Sequence, residues 1–202
     1  SDPHGVPSLV NQEQMLCHTP WSLARGVYAG KIQAGEIEIE LREQIEKVLS
    51  AGIVATHLDG HKHLHMLGPV FRVVIRLAQE YRIGAVRCAG EYVPDLALHF
   101  RRFPRSSGAI LKQYLSGCAL RLAFQGHRNM LKDAGLRYTE SFIGLTQTGF
   151  MDSDILAAAL RRLPQGTTEL MCHPGYLDQG LRGAPTRLLL QRERELEALT
   201  QP

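Results

Sequence analysis

Segments with the apolar spacing of a helix are followed, three times along the sequence, by short runs with strand character. An amphipathic helix buries only one face and needs a sheet or another helix to cover it. Because helices and strands in alternation are typical of domains with parallel strands, we predict an α/β fold whose functional side chains collect at the C-terminal ends of the strands. The pairs are residues 37–49 before 53–56, 69–83 before 85–88, and 152–163 before 167–172.

We predict a single domain over residues 1–202, a length that suffices for one substantial core. Residues 1–20 contain three prolines and little periodicity, which indicates an irregular segment. Residues 92–133 interrupt the alternation with a basic, mainly helical insert whose helical core is predicted at 109–124. A last helix, rich in glutamate and arginine, is predicted at 188–199.

Residues 56–66, reading THLDGHKHLHM, concentrate side chains that bind metals or transfer protons. Successive side chains of an extended strand point to opposite faces, so residues at odd positions share a face. Fully extended, residues 57 and 65 would lie roughly 26 Å apart, so only one or two of the histidines can bind one ion, while others orient them or contact substrate. The predicted common face carries His57, Asp59, His61, His63 and His65.

Two other interpretations of this stretch are weaker. Histidines spaced four apart would share a helix face, but Leu58 and Lys62 stand where a zincin helix has its glutamate, and Gly60 disfavours a helix. A polar loop without metal is the plainer alternative, yet so many histidines in so short a stretch favour a hydrolytic metal site. Asp59 then accepts a hydrogen bond behind a metal-bound histidine, or caps the following helix.

A second histidine, His173, follows the strand predicted at 167–172, which favours a site role over the alternative that it merely satisfies a turn. Strand alternation places Glu169 on its face, as a weaker candidate for orienting it, and Cys172 on the opposite face, as a small core residue. Arg87 and Glu91 flank the end of another predicted strand and could bind a polar substrate, although a surface ion pair would look the same.

Composition excludes several classes of function. A net charge of +3 and few aromatic residues among the basic ones argue against a nucleic-acid partner. No apolar run approaches the roughly 20 residues of a membrane span. The four cysteines are scattered and form neither a zinc knuckle nor a redox pair, so we expect a reduced, cytoplasmic protein.

The motifs THLDGHKHLHM, AVRCAGE and TELMCHPGYLD, in this order, resemble those of the YdjC-like carbohydrate deacetylases. The resemblance implies a distorted TIM-like (β/α) barrel that removes acetyl groups from an N-acetylated sugar or glycolipid. It also implies one divalent metal ion, magnesium or zinc, held by an aspartate and two histidines. The protein could also form a homodimer.

Residue by residue, the resemblance assigns His61 as the metal ligand, because it stands two residues after the aspartate of the motif. His63 and His65 match the motif without becoming ligands by that match, and His65 is a candidate substrate contact. His173 matches the histidine of the family's CHPG motif and is the candidate proton donor to the leaving amine, with Asp59 steadying the histidine environment. Arg87 and Glu91 match positions near the family's sugar site.

The sequence also departs from the family pattern. The family's opening strand carries an aspartate pair, and a later strand carries another metal histidine; neither is found here. We therefore expect a barrel that is incomplete at both ends of this chain, and a metal site that the chain does not complete alone. A metal-dependent phosphoesterase or amidohydrolase would use the same histidines, and a non-catalytic sugar-binding protein is the other alternative.

Overall fold

The computed structural model describes residues 2–16, 18–92, 95–123, 125–184, 186 and 188–200. The described residues are mixed α/β and mostly helical, with a parallel two-stranded sheet. The helices are α1 Pro20–Tyr28, α2 Ala34–Ser50, α3 Gly68–Glu80, α4 Leu96–Arg102, α5 Ser107–Ala123, α6 His127–Asp133, α7 Ser153–Arg161, α8 Gln179–Gly183 and α9 Leu190–Thr200, and the strands are β1 Ser141–Ile143 and β2 Thr168–Leu170. Short 3-10 helices lie at Pro3–Gly5, His61–Met66 and Pro104–Ser106.

The chain forms two compact units. Unit 1 consists of Ser1–Cys88 and Gly126–Tyr138, and unit 2 of Ala89–Gln125 and Thr139–Pro202. The helical segment predicted at 92–133 contains α4, α5 and α6, and its last helix belongs to unit 1.

In unit 1, α2 and α3 pack against each other, as their amphipathic patterns predict. Helix α3 has Pro69 in its first turn and buries an apolar stripe that includes Phe71 and Leu77. Arg42 of α2 bonds to Glu80 and donates a hydrogen bond of 3.1 Å to the Tyr81 hydroxyl, just after α3. Both predicted helices are confirmed, with ends within three residues of the prediction.

The prediction of strands at 53–56 and 85–88 is wrong. Unit 1 has isolated parallel bridges instead, between Leu58 and Val86 and between Ala85 and Arg137. Among the described residues, 54–57 make no backbone–backbone hydrogen bond, and Val54 is 83% exposed. A strand is maintained by its ladder of hydrogen bonds, and a β-branched run without a partner strand stays irregular.

In unit 2, β1, α7 and β2 form a βαβ unit. The two strands pair in parallel with Phe142 opposite Glu169, and residue Glu91 forms a parallel bridge to Phe142 on the other edge of β1. Asp152 caps α7 by accepting a 3.0 Å hydrogen bond from the Ile155 amide. The predicted helix at 152–163 is confirmed, and the strand predicted at 167–172 is confirmed in its centre.

The core of unit 2 joins α7 to α9. Met151, Ile155, Leu156 and Ala198 are buried together, and Cys172 packs against them, as the alternation along β2 predicts. The last helix is confirmed at Leu190–Thr200. No helix among the described residues is both long and apolar enough to cross a membrane.

Some elements were absent from the sequence prediction. Thr19 caps α1 through a 3.2 Å hydrogen bond from the Ser22 amide, and Pro20 stands in its first turn, so a recognisable helix start was present in the segment predicted to be irregular. The predicted helix at 109–124 extends from Ser107 to Ala123, while residue 124 and Cys17 lie outside the described residues. The described cysteines are free thiols.

Candidate functional site

The histidine stretch in unit 1 is a bent 3-10 segment and not an extended strand. Gly60 precedes the segment His61–Met66, in which Lys62 and His63 have φ angles of 51° and 56°. The amide of His63 donates a 2.9 Å hydrogen bond to the Gly60 carbonyl, which closes the turn. Positive φ costs a residue with a side chain about 1–2 kcal/mol, so this local strain marks a segment that the surrounding structure holds in place.

The extended strand on which the prediction of a shared face rests is therefore wrong, because strand alternation requires extended backbone. Four of the five side chains, all except His63, nevertheless line one cavity. His57 and His61 are exposed, His63 is half-buried and His65 is buried. The rings of His63 and His65 remain neighbours, with centroids 6.3 Å apart.

His65 is held on both sides. Its Nε2 lies 3.0 Å from the Arg87 carbonyl oxygen, and a Cβ placed on Gly60 would come within 2.8 Å of its Nδ1. Burial lowers the pKa of His65, so its neutral form is favoured in the folded protein. A neutral imidazole that donates a hydrogen bond from Nε2 to a carbonyl oxygen has a structural role. The substrate contact that the resemblance assigns to His65 stays a prediction.

Asp59, just before the turn, forms an ion pair with Arg87, which follows the residue that bridges to Leu58. The Arg87 side chain is 17% exposed and the Asp59 side chain 33%. Main-chain bonds join the same two segments, because the Leu58 amide donates to the Ala85 carbonyl and the Arg87 amide to the Leu58 carbonyl, each at 3.0 Å. The Arg87 guanidinium thus neutralises the Asp59 carboxylate, so the ion pair that the sequence analysis gave as the alternative role of Arg87 is present. Among the described residues, Asp59 caps no helix.

His61 presents its imidazole to the outside. It is exposed, and neither ring nitrogen has a hydrogen-bond partner among the described residues, so a metal ion can approach it. Exposed His57 differs, because its Nδ1 lies 3.1 Å from the Thr56 hydroxyl. Of the described side chains, no group of three or more His, Cys, Asp or Glu is placed to hold a metal ion. The described donors therefore do not form a complete metal site.

A cavity of about 530 Å³ in unit 1 adjoins this stretch. Its volume is in the range of small-molecule sites. Apolar side chains from α2 and α3 form much of its wall, whereas the polar lining comes mainly from the histidine stretch. The polar groups include His57, Asp59, His61 and His65.

In unit 2, His173 follows β2, where the sequence predicts it. Its amide donates a 2.5 Å hydrogen bond to Glu195 Oε2, and its Nδ1 lies 3.9 Å from the same oxygen. Nδ1 is buried without a hydrogen-bond partner among the described residues, although the side chain as a whole is 30% exposed. The exposed part of the ring therefore lies away from Nδ1 and is available to a ligand.

The carboxylate behind His173 is Glu195 of α9 and not Glu169 of β2, the residue that alternation suggested. Burial, and then the charge of Glu195, raises the pKa of the Cys172 thiol, so Cys172 is a poor nucleophile as well as a core residue. A signal for Glu195 existed in the sequence, because it lies three residues before Ala198 and so shares the inward face of the predicted helix. A glutamate on a buried face requires a partner.

Glu91 supports the turn after β1. Its carboxylate is buried and accepts hydrogen bonds from the Thr146 amide at 3.1 Å, the Thr146 hydroxyl at 2.7 Å and the Leu145 amide at 3.3 Å. Burial raises the pKa of Glu91, and these hydrogen bonds oppose that rise. With both oxygens engaged, Glu91 holds the backbone near the end of β1, and its substrate contact stays a prediction.

Comparison with known proteins gives a consistent result. A family model described as "YdjC-like protein" matches residues 1–202. The carbohydrate deacetylase of Geobacillus stearothermophilus is 30% identical over 201 residues, which are 98% of this chain and 62% of that protein. The carbohydrate deacetylase of Mus musculus is 29% identical over 190 residues, 84% of this chain and 56% of that protein, so the chain spans little more than half the length of these curated relatives. Since the family model covers all 202 residues, this chain belongs to the YdjC-like family.

Proposed function

We propose that this protein is a carbohydrate deacetylase that hydrolyses the acetamide of an N-acetylated sugar or glycolipid. The observation that carries the proposal is His173, which stands after a β-strand with Nδ1 buried near a carboxylate and the rest of its ring accessible. A histidine held this way can transfer a proton at Nε2. The relatives named carbohydrate deacetylase support the choice of an acetylated sugar as substrate.

In the proposed reaction, water adds to the acetyl carbonyl carbon and the carbon–nitrogen bond breaks. The amine nitrogen keeps the electron pair of that bond and takes a proton from His173 Nε2. The water oxygen stays in the acetic acid product, and the proton released when that acid ionises to acetate restores the protonated His173 ring. Protonation makes the amine a better leaving group, and a positioned general acid contributes typically about 10²- to 10⁴-fold to the rate.

We infer that the sheet belongs to a TIM-like barrel. Such barrels consist of parallel strands joined by helices, and β1, α7 and β2 are connected in this way. The bridges Leu58 to Val86 and Ala85 to Arg137 within unit 1 are parallel as well. Active sites of these barrels lie at the C-terminal ends of the strands, where His173 lies relative to β2.

Acetate release from an N-acetylated oligosaccharide tests the activity. We expect acetate and the free amine in equal amounts, with no release of phosphate or ammonia from phosphorylated or amidine substrates. Release of phosphate or ammonia instead would favour a phosphoesterase or amidohydrolase. Binding of the oligosaccharide without release of acetate would favour a sugar-binding protein.

We further propose that a divalent cation, magnesium or zinc, is the cofactor and that His61 is one of its ligands. The exposed imidazole of His61 beside the unit 1 cavity supports this choice. In a form of the protein as long as its curated relatives, we expect His61→Ala to abolish binding of magnesium or zinc measured by titration calorimetry, since imidazole is a common ligand of such sites.

The matched control is His57→Ala, which removes the neighbouring exposed histidine and is expected to leave the affinity unchanged within about twofold. Unchanged affinity in His61→Ala would contradict the assignment and would move the ligand role to His63 or His65. A loss in both variants would indicate that the stretch binds the cation collectively.

A further inference from the structure

Glu195 is a buried carboxylate whose charge has no arginine or lysine partner among the described residues. Its side chain is 2% exposed. The adjacent cation, Arg194, is directed elsewhere: its guanidinium lies 5.1 Å from the centre of the Phe103 ring and 3.5 Å from the Gly149 carbonyl oxygen. Because acidic side chains are seldom fully buried without a partner, another group has to stabilise the Glu195 charge.

Two backbone amides supply that stabilisation. Oε1 accepts a 3.3 Å hydrogen bond from the Gly149 amide, and Oε2 accepts the 2.5 Å hydrogen bond from the His173 amide. One carboxylate thereby ties the turn that follows β1 to the loop that follows β2. The remaining ionisable neighbour is His173 Nδ1, at 3.9 Å from Oε2.

We propose that Glu195 is a positioning residue that keeps the proton of His173 on Nδ1, so that Nε2 faces the substrate. A carboxylate beside one ring nitrogen fixes which nitrogen carries the proton, because the N–H is stabilised next to the negative charge. When the imidazolium gives its Nε2 proton to the leaving amine, the Nδ1–H remains and the ring becomes neutral. The catalytic meaning rests on the proposed deacetylase function, whereas the tautomer itself does not.

The alternative is that Glu195 only fastens the two loops. Glu195→Gln removes the charge and keeps one accepting oxygen, but its NH2 group cannot accept the hydrogen bond of the second amide, so the variant also weakens the tie between the loops. The tautomer of His173, which the fastening of the loops does not set, separates the two roles. Glu195→Asp keeps the charge on a shorter side chain. Glu197→Gln, on the exposed face of the same helix, is the control for a change of charge in α9.

Long-range ¹⁵N NMR of the histidine rings, recorded above the pH at which they titrate, reads the tautomer directly. In the wild-type chain and in Glu197→Gln we expect His173 to carry its proton on Nδ1. In Glu195→Gln we expect most of the population to shift to Nε2–H, and in Glu195→Asp a smaller shift. Identical His173 nitrogen shifts in wild type and Glu195→Gln would overturn the proposal.

Circular dichroism establishes whether each variant folds. If Glu195→Gln and Glu195→Asp both fail to fold, the wild-type spectrum decides alone: an Nε2–H tautomer at His173 overturns the proposal and an Nδ1–H tautomer supports it. In an active enzyme, Glu195→Gln should lower kcat about 10²- to 10⁴-fold with little change in KM. A shifted tautomer in a protein that releases no acetate would leave the positioning role standing and contradict the deacetylase function.

Discussion

Each unit places a histidine near a carboxylate, but the two carboxylates are neutralised differently. In unit 1 Asp59 is paired with the Arg87 guanidinium, and His65 bonds to the Arg87 carbonyl oxygen and not to the carboxylate. In unit 2 the Glu195 carboxylate has backbone amides and the His173 ring as neighbours. The Arg87 guanidinium offsets the charge of Asp59, whereas no arginine or lysine among the described residues offsets that of Glu195.

The two histidines accordingly differ in how they suit chemistry. His65 is buried and uses Nε2 in a structural hydrogen bond. His173 is buried only at Nδ1 and keeps the rest of its ring accessible. The density of histidines in residues 56–66 draws attention to unit 1, yet the arrangement suited to proton transfer is the single histidine of unit 2.

The largest expected effect is on the backbone that supports His173. Gly144 has φ of +130°, and a Cβ added there would lie 2.2 Å from the Met171 carbonyl oxygen. Gly144→Ala therefore combines a disfavoured conformation with a clash against backbone that cannot move alone. We expect a loss of about 3 kcal/mol or more in the free energy of unfolding, measured with urea.

The corresponding glycine of unit 1 is less constrained. Gly60 has an ordinary φ of −126°, and the three atoms nearest to an added Cβ all belong to the His65 side chain, with Nδ1 at 2.8 Å. We expect Gly60→Ala to cost about 1–3 kcal/mol, less than Gly144→Ala. Gly183→Ala, where no atom lies within 4 Å of the added Cβ, is the neutral control. A smaller loss in Gly144→Ala than in Gly60→Ala would show that the strand ends of unit 2 are the more adaptable of the two.

A smaller effect is expected from the ion pair of unit 1. Arg87→Met keeps much of the buried side-chain stem and the backbone carbonyl that His65 uses, but removes the charge that neutralises Asp59. We expect the free energy of unfolding to fall by about 1 kcal/mol, at the upper end for a partly exposed pair, and the loss to shrink in high salt. Arg72→Met, at an exposed position of α3, should change it by less than about 0.5 kcal/mol. Equal stability of Arg87→Met and wild type would mean that Asp59 needs no partner.

The sequence predicted the amphipathic helices that precede the predicted strands, because a helix satisfies its own backbone and its apolar spacing is local, but it missed α1 and α8. The segments 37–49, 69–83 and 152–163 all fold as predicted. Strands depend on partners from distant parts of the chain, so residues 53–56 had the composition of a strand without its ladder. For the same reason β1 was missed, since Ser141–Ile143 shows too short a pattern to stand out.

For the candidate site, the sequence identified the histidines but not their surroundings. The position of His173 after a strand was predictable, whereas its neighbour Glu195 lies 22 residues further on and reaches it only through the packing of α9. In residues 56–66 the alternation argument failed at Gly60, whose lack of a side chain permits the turn against the His65 ring. Local pattern thus names candidate groups, while tertiary contacts decide which of them share an environment.

The smallest expected effect is a pH dependence carried by His65. Burial lowers the pKa of His65 in the folded state, so below its ordinary value of about 6.5 the unfolded chain binds a proton that the folded chain does not. Stability should therefore be retained above that pH and lost as the pH falls toward the folded-state pKa. We expect the difference in free energy of unfolding between pH 7.5 and pH 5.5 to be smaller in His65→Gln than in wild type. His4→Gln, at an exposed position, controls for the loss of one histidine and should keep the wild-type difference. If His65→Gln keeps it too, the buried ring of unit 1 is not the neutral group that its environment requires, and the contrast with His173 would have to rest on accessibility alone.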